Sequence, residues 1–275
     1  MKIKTFKQIF WALFLTFIIH SVLLSTNKSE AFTGDDEQKH RELFRQAINL
    51  CDAKNYQSAI IVLQKSTQVT SSYKCLGDSY TLMGALYFEL KNYELAIENC
   101  KKAISYQPLN FRAYSVIGDS YLQREEYENA LPFLNKALIM NQNEFDVYYT
   151  LSLCYLKTKK WQEVVQNATQ YISKHHNTPK EVILLYFHRG LAYHSMDHGI
   201  EALKDFKTAI FLNKKYGVSF LENELKIELG LVLYSLKSLQ TASEYKNTLK
   251  ELGLTQAEAE QYILDAENTG KKFYS

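Results

Sequence analysis

The feature that most constrains the fold of this chain is an internal period of 34 residues. The residues that repeat are small or aromatic: Gly84, Tyr87, Tyr93, Ala96 and Ala103 recur as Gly118, Tyr121, Tyr127, Ala130 and Ala137. A period of this length is typical of repeat proteins, in which one unit cannot bury its apolar face alone and neighbouring units stack. We therefore expect a stack of similar units rather than a single compact core.

Within one period the apolar residues follow helical spacing. Tyr80, Met83 and Tyr87 lie three or four residues apart, and a second apolar stretch follows the polar pair at 91–92. This pattern predicts two helices joined by a tight turn. Gly84 and Ala96 are small, which would let the two helices approach closely where they cross. The chain has only 3 prolines and 10 glycines, so an all-β fold with frequent turns is disfavoured.

These recurring residues resemble the pattern of the tetratricopeptide repeat family. The resemblance implies an all-α fold, a right-handed superhelix of about six helix-turn-helix repeats. We place the repeats near residues 40–73, 77–110, 111–144, 145–178, 183–216 and 223–256, within a domain spanning 32–275. An insertion containing Pro179 shifts the phase before the fifth unit. A Thr-x-x-Glu capping box at 255–258 predicts a C-terminal capping helix over 256–268.

The amino terminus has the layout of a secretory signal. Lys2, Lys4 and Lys7 precede an apolar run over 9–24, and the chain then becomes polar at once. Residues 29–31 (Ser-Glu-Ala) offer a cleavage site before Phe32. We therefore expect residues 1–31 to be a signal peptide and the protein to be periplasmic or secreted. The alternative is a retained signal anchor, although a 16-residue helix of roughly 24 Å is short for a bilayer core of about 30 Å.

The charge and the motifs exclude several classes of function. Four lysines and one acid of the 32 basic and 30 acidic residues lie within the first 31 positions, so the remainder is slightly acidic. A basic surface that seeks nucleic acid is therefore not expected. No glycine-rich phosphate loop, GxSxG elbow or CxxC pair occurs in the sequence. We expect no enzymatic activity and no cofactor.

Two groups of residues carry weaker chemical signals. His188, His194 and His198 approach the spacing of zinc ligands, but the repeat phase places the third in a turn beside Gly199, which disfavours a shared site. A metal-binding or enzymatic protein using this region is the least favoured hypothesis, and we expect no metal. The four cysteines, Cys51, Cys75, Cys100 and Cys154, are predicted to be buried or half-buried thiols, because the repeat phase keeps them apart.

The family resemblance also implies where a partner would bind. Tetratricopeptide arrays usually bind peptides in a groove lined by the first helices of successive repeats. In the amino-terminal half the inward positions are mixed and polar: Phe44, Ile48, Asp52, Thr81, Ala85, Phe88, Arg112, Ser115, Asp119 and Leu122. In the carboxy-terminal half they are more apolar, and we predict the protein-binding groove there: Tyr149, Leu153, Leu156, Phe187, His188, Leu191, His194, Leu231 and Tyr234. The alternative is that these side chains pack within their own repeats.

Some family members grip the terminal carboxylate of a chaperone tail with Lys, Asn and Arg side chains on two successive first helices. The matching positions here hold Thr81, Ala85, Ser115 and Asp119, so we expect no such clamp. The sequence thus favours an exported, non-enzymatic scaffold that binds a protein or peptide segment, in an envelope or secretion-related complex. The alternative is a membrane-tethered assembly component that associates with further copies of itself, touching the membrane only through the amino-terminal segment.

Overall fold

The computed structural model describes residues 35–175, 179–217 and 222–269, and these residues form helices and connecting turns. The predicted signal segment at 1–31 lies outside the described residues. The chain divides into two compact units, Met1–Gln142 and Asn143–Ser275. The all-α, helix-turn-helix fold predicted from the sequence is confirmed.

Each unit is built from antiparallel helical hairpins. The helices of the first unit are α1 (Asp35–Asp52), α2 (Tyr56–Gln68), α3 (Tyr73–Glu89), α4 (Tyr93–Tyr106), α5 (Phe111–Gln123) and α6 (Tyr127–Met140). Those of the second unit are α7 (Phe145–Lys157), α8 (Trp161–Lys174), α9 (Pro179–Ser195), α10 (Gly199–Lys215), α11 (Glu222–Leu239), α12 (Ala242–Glu251) and α13 (Gln256–Glu267). Consecutive helices from α1 to α6 and from α7 to α10 pair as the repeat pattern predicts.

Close approach of the two helices fixes a small residue at the centre of each hairpin. A Cβ atom at Gly84 would overlap the Cys100 thiol, and one at Gly118 would overlap the Leu134 side chain. A Cβ atom at Gly190 would likewise overlap the Phe206 ring. The partner lies 16 residues after the glycine in all three hairpins, so one packing solution is reused along the chain.

In the hairpin formed by α7 and α8, hydrogen bonds between polar side chains hold the two helices together where they cross. Ser152 occupies the small position, and the Asn167 side-chain amide donates to its Oγ and to the backbone carbonyl of Tyr148, both at 2.7 Å. Asn167 is buried, and its amide group is hydrogen-bonded inside the hairpin. This Asn belongs to the Asn-Ala-Thr glycosylation sequon at 167–169, which is therefore inaccessible in the folded chain.

The turns inside the hairpins share one backbone hydrogen-bond pattern. The amide of the residue that precedes each second helix donates to a carbonyl five residues earlier, as in Asn92 N–H to Tyr87 O at 2.9 Å. This bond belongs to the Schellman motif, which requires a left-handed residue just before the donor. The left-handed residues are Lys54, Lys91, Glu125, Lys159 and Asp197, none of them glycine.

The last hairpin differs from the expected repeat. The boundaries 223–256 pair α11 with α12, whereas in the structure α11 packs chiefly against α13. A Cβ at Gly230 would overlap the backbone carbonyl of Tyr262 on α13. The physical reason lies 16 residues after Gly230, where Lys246 stands at the position that is apolar in the other hairpins. Burying that ammonium group would be costly, so the helix predicted as a cap at 256–268 takes the partner's place.

The cysteines lie where the repeat phase places them. Cys51, Cys100 and Cys154 are buried and Cys75 is half-buried. Burial, together with the neighbouring Asp52 carboxylate, raises the pKa of the Cys51 thiol to about 12. A thiol with such a pKa is protonated at neutral pH and is a poor nucleophile.

Candidate functional site

The predicted binding face in the second unit lies on α7, α9 and α11. The structure brings two of its residues together: the Tyr149 ring stacks on the His188 imidazole with centroids 5.3 Å apart. Burial and the Asp146 carboxylate raise the pKa of Tyr149 to about 12. These rings contact each other across the first helices of neighbouring repeats.

Internal packing accounts for part of the same set. The Phe187 ring lies 6.0 Å from the Phe206 ring on α10, so it packs within its own hairpin. Leu153, Leu156, Leu191, His194 and Leu231 are half-buried. Tyr234 is the most accessible of the nine predicted residues, at 39% exposure. The binding role of these nine residues stays a prediction, and their packing shows that Tyr149 and Phe187 also contribute to stability.

The three histidines of the metal hypothesis lie in different environments. His188 is buried, and burial lowers its pKa to about 3. His194 is half-buried, and burial lowers its pKa as well, opposed by the Glu228 and Asp197 carboxylates. His198 is exposed at the N-cap of α10, in the turn as predicted. Within the described ranges, no group of three His, Cys, Asp or Glu side chains could hold a metal ion.

The first unit holds a pocket that the sequence did not single out. It lies between the three first helices α1, α3 and α5 and has a volume of about 170 Å³. Its lining residues are Phe44, Ile48, Asp78, Thr81, Leu82, Gln107, Leu109, Asn110, Phe111 and Arg112. The apolar floor (Phe44, Ile48 and Leu82) is buried, whereas Leu109 is 82% exposed. Large ligand sites occupy about 300–1,000 Å³, so this pocket is of a size for one side chain.

A network of amide groups forms the polar wall of the pocket. Asn110 Nδ2 donates to Thr81 Oγ1 at 2.8 Å and to Gln107 Oε1 at 3.2 Å. Gln107 Nε2 donates to the Lys74 carbonyl at 2.7 Å and to Asp78 Oδ1 at 3.2 Å. These bonds fix the loop between α4 and α5 to α3, so the wall is held in place before any partner arrives.

Asp78 is the charged group at the centre of this wall. Burial raises the pKa of its carboxyl, while the hydrogen bond from Gln107 and the charges of Lys74 and Arg112 lower it. Burial is the largest of these effects, so the carboxylate is incompletely stabilised. The Arg112 guanidinium lies over the Phe111 ring, 5.1 Å from its centroid.

Part of this pocket was within reach of sequence reasoning. Phe44, Ile48, Thr81 and Arg112 were predicted to face inward, and the structure places all four around one cavity. Asp78, Gln107 and Asn110 were missed. The available signal was the loop at 107–110 (Gln-Pro-Leu-Asn), which joins two repeats and carries two amide side chains. Which acceptors those amides reach depends on the packing of α3 against α5.

Comparison with known proteins agrees with the fold. Residues 77–110 and 111–144 each match the tetratricopeptide repeat family, with the boundaries predicted for the second and third units. The chain is 30% identical over 93 residues to the Hsp70/Hsp90 co-chaperone CNS1 of Saccharomyces cerevisiae. That alignment covers 34% of this chain and 24% of the co-chaperone, so the chain spans about a quarter of that relative.

Solved structures with the same fold cover about two thirds of the chain. A crystal structure of MamA superimposes with a TM-score of 0.56 at 23% identity, covering 62% of this chain and 96% of MamA. MamA from Desulfovibrio magneticus RS-1 gives 0.57 at 19% identity, covering 67% and 98%. YrrB, a tetratricopeptide protein with an unusual peptide-binding site, gives 0.54 at 17%, covering 66% and 93%. At these identities the likeness shows the fold.

Proposed function

We propose that this chain, whose residues 77–144 match two tetratricopeptide repeats, is an exported, non-enzymatic scaffold that binds an extended segment of a partner protein along the first helices of its repeats. We further propose that the complex it serves belongs to the cell envelope or to secretion. The pocket between α1, α3 and α5 is the observation on which the binding function rests.

Three properties of this pocket support a binding role. Its floor is apolar and buried, its polar wall is fixed by hydrogen bonds, and an exposed leucine stands at its opening. Such a combination is preorganised, because the receiving groups lose little conformational entropy when a partner binds. The peptide-binding site of YrrB and the co-chaperone role of CNS1 are properties of those proteins, and they support the same class of function here.

The binding test uses a display library of ten-residue peptides selected on the purified protein. Leu109→Glu places a charge at the opening of the pocket, and we expect it to lose the peptides that the wild type selects. Ile139→Glu is the matched control, because Ile139 is 77% exposed on α6 and does not line the pocket. Circular dichroism confirms the helices of each variant. Failure of the library to yield any peptide, or equal loss with both variants, contradicts the proposal.

The same peptide selection also tests the predicted binding face of the second unit, with a separate pair of variants. Tyr234→Glu tests the accessible part of that face, with Leu239→Glu as the exposed control at the end of the same helix. Tyr149 and Phe187 are poor probes, since their rings pack against His188 and Phe206 and their loss would destabilise the hairpins. Peptides lost only with Tyr234→Glu would place the groove in the second unit instead.

Export is tested by sequencing the amino terminus of the protein recovered outside the cytoplasm. We expect the mature chain to begin at Phe32. A full-length chain that stays in the membrane pellet after alkaline extraction would instead favour the tethered assembly component. Along the described ranges, no helix has both the length and the apolarity needed to cross a bilayer.

A further inference from the structure

The amide and hydroxyl side chains of the pocket in the first unit, those of Gln107, Asn110 and Thr81, donate to one another and to neighbouring groups. Both Asn110 amide protons and both of the Gln107 donor bonds described above are engaged, and Thr81 donates to the Gly77 carbonyl at 2.7 Å. Asp78 accepts a single bond, through Oδ1 from Gln107. Its Oδ2 receives no hydrogen bond or ion pair from any residue that the structure describes.

An incompletely bonded carboxylate beside an apolar floor demands a particular kind of ligand. The free acceptor favours a hydrogen-bond donor, and a charge-assisted bond from a cation is about twice as strong as a neutral one. The floor of Phe44, Ile48 and Leu82 requires apolar atoms. A lysine side chain meets both requirements, because a flexible stem of four methylenes ends in a compact ammonium group with three donors.

We propose that this pocket receives a lysine side chain of the partner segment, with the stem against Phe44, Ile48 and Leu82 and the ammonium group donating to Asp78 Oδ2. The inference rests on the proposed binding function and names the chemistry that the partner must carry. Charge complementarity with Asp78 and the small volume of the pocket commit it to a single lysine rather than to a larger ligand.

The other charges around the pocket limit the strength of this contact. Lys74 and Arg112 both act on the Asp78 carboxyl, so the arriving ammonium group meets partial repulsion. Burial nevertheless outweighs both cations in setting the pKa of Asp78, which leaves the carboxylate favoured by one further positive partner. Since burial raises this pKa, lysine binding is lost as the pH falls through a value above that of an ordinary carboxyl group.

The direct test measures binding of N-acetyl-lysine N-methylamide to the full protein by shifts of the Ile48 and Leu82 methyl signals in NMR spectra. The matched probes are the norleucine derivative, which lacks the charge, and the Nε-acetyl-lysine derivative, which neutralises it. We expect the lysine probe to bind at least tenfold more tightly than either, as about 1.4 kcal/mol of charge-assisted bonding would give. Cadaverine distinguishes a free alkylamine from a residue in a chain.

The second test changes the protein rather than the probe, with the variant Asp78→Asn. It keeps an oxygen for the Gln107 bond but removes the charge, so the preference for lysine over norleucine should disappear while the helical signal is unchanged. Glu98→Gln, an exposed carboxylate on α4 that does not line the pocket, is the control and should keep the preference. Persistence of the preference in Asp78→Asn overturns the lysine assignment, and so does cadaverine binding that equals that of the lysine probe.

The peptide selection separates failure of this inference from failure of the proposed function. Selected peptides enriched in lysine, and lost with Asp78→Asn, support both. Selected peptides that depend on Leu109 but tolerate replacement of every lysine by norleucine overturn the lysine assignment and leave the scaffold function standing. A library that yields no binding peptide overturns the scaffold function itself.

Discussion

Arg189 and Asp205 form an ion pair that is largely enclosed, with side chains 16% and 7% exposed. The guanidinium group donates through Nε to Oδ2 and through Nη2 to Oδ1, both at 2.7 Å, and through Nη1 to Thr169 Oγ1 at 2.8 Å. One side chain therefore joins α8, α9 and α10. Such a bidentate pair fixes geometry more than it adds stability, because both charges lose their hydration.

Removing one partner of this pair should be costly. Asp205→Ala leaves the Arg189 guanidinium enclosed without its carboxylate, and we expect the free energy of unfolding to fall by about 3 kcal/mol in urea titrations. Glu98→Ala is the control, since the Glu98–Lys102 pair on α4 is half exposed and worth less than about 1 kcal/mol. Equal losses for the two variants would show that enclosure of the pair has no energetic consequence.

In the hairpin turns, backbone strain at one residue is held in place by the packing of the two helices. Five turns place a non-glycine residue in the left-handed region, with φ between 57° and 62°. The Schellman bond and the packing of the two helices hold these residues there, although an L-amino acid pays a steric penalty in this conformation. Glycine would adopt the same backbone without that penalty.

Glu125→Gly should accordingly stabilise the protein. The steric relief exceeds the extra entropy of glycine in the unfolded chain, and we expect a gain of about 0.5–1 kcal/mol, seen as a higher thermal midpoint by circular dichroism. Lys101→Gly, at an exposed position inside α4, is the opposite control and should lose about 1 kcal/mol. A lower midpoint for Glu125→Gly would mean that the side chain supports the turn in another way.

The pairing of α11 with α13 can be tested at Gly230, where the two helices approach most closely. Gly230→Ala places a methyl group against the Tyr262 carbonyl, a backbone atom that cannot rotate away, and should cost about 1–3 kcal/mol of unfolding free energy. Gly199→Ala is the control, because its methyl group meets only the flexible Leu236 side chain at 3.2 Å or more. If Gly230→Ala were neutral in urea titrations, α13 would not pack on α11 as described.

Over the whole molecule, similarity to a co-chaperone raises the question of chaperone binding. The positions matched to a carboxylate clamp hold Thr81, Ala85, Ser115 and Asp119, and all four are buried. None of them can supply the lysine or arginine that a carboxylate requires. We expect no measurable binding of the acidic carboxy-terminal tails of Hsp70 or Hsp90 by fluorescence anisotropy. Saturable binding at micromolar protein that survives Arg112→Ala would contradict this expectation.

The candidate site was predictable only in part. Repeat phase identified which residues of α1, α3 and α5 face inward, because helical periodicity and the 34-residue spacing are properties of the sequence. It did not select the pocket, since its polar wall depends on Gln107 and Asn110 reaching acceptors about 30 residues earlier in the chain. The aromatic residues of the second unit were selected for their apolarity, but Phe187 packs against Phe206 inside its own hairpin.

The sequence by itself determined that the chain is a series of helical hairpins, because small residues at a fixed interval and apolar residues at helical spacing leave few other ways to bury the apolar faces. Tertiary structure decided the rest. In the structure α11 packs on α13 rather than on α12, which carries Lys246 at the position that is apolar in the other hairpins. Tertiary structure also left Asp78 with an oxygen that its neighbours do not satisfy, because hydrogen bonding depends on where distant side chains meet.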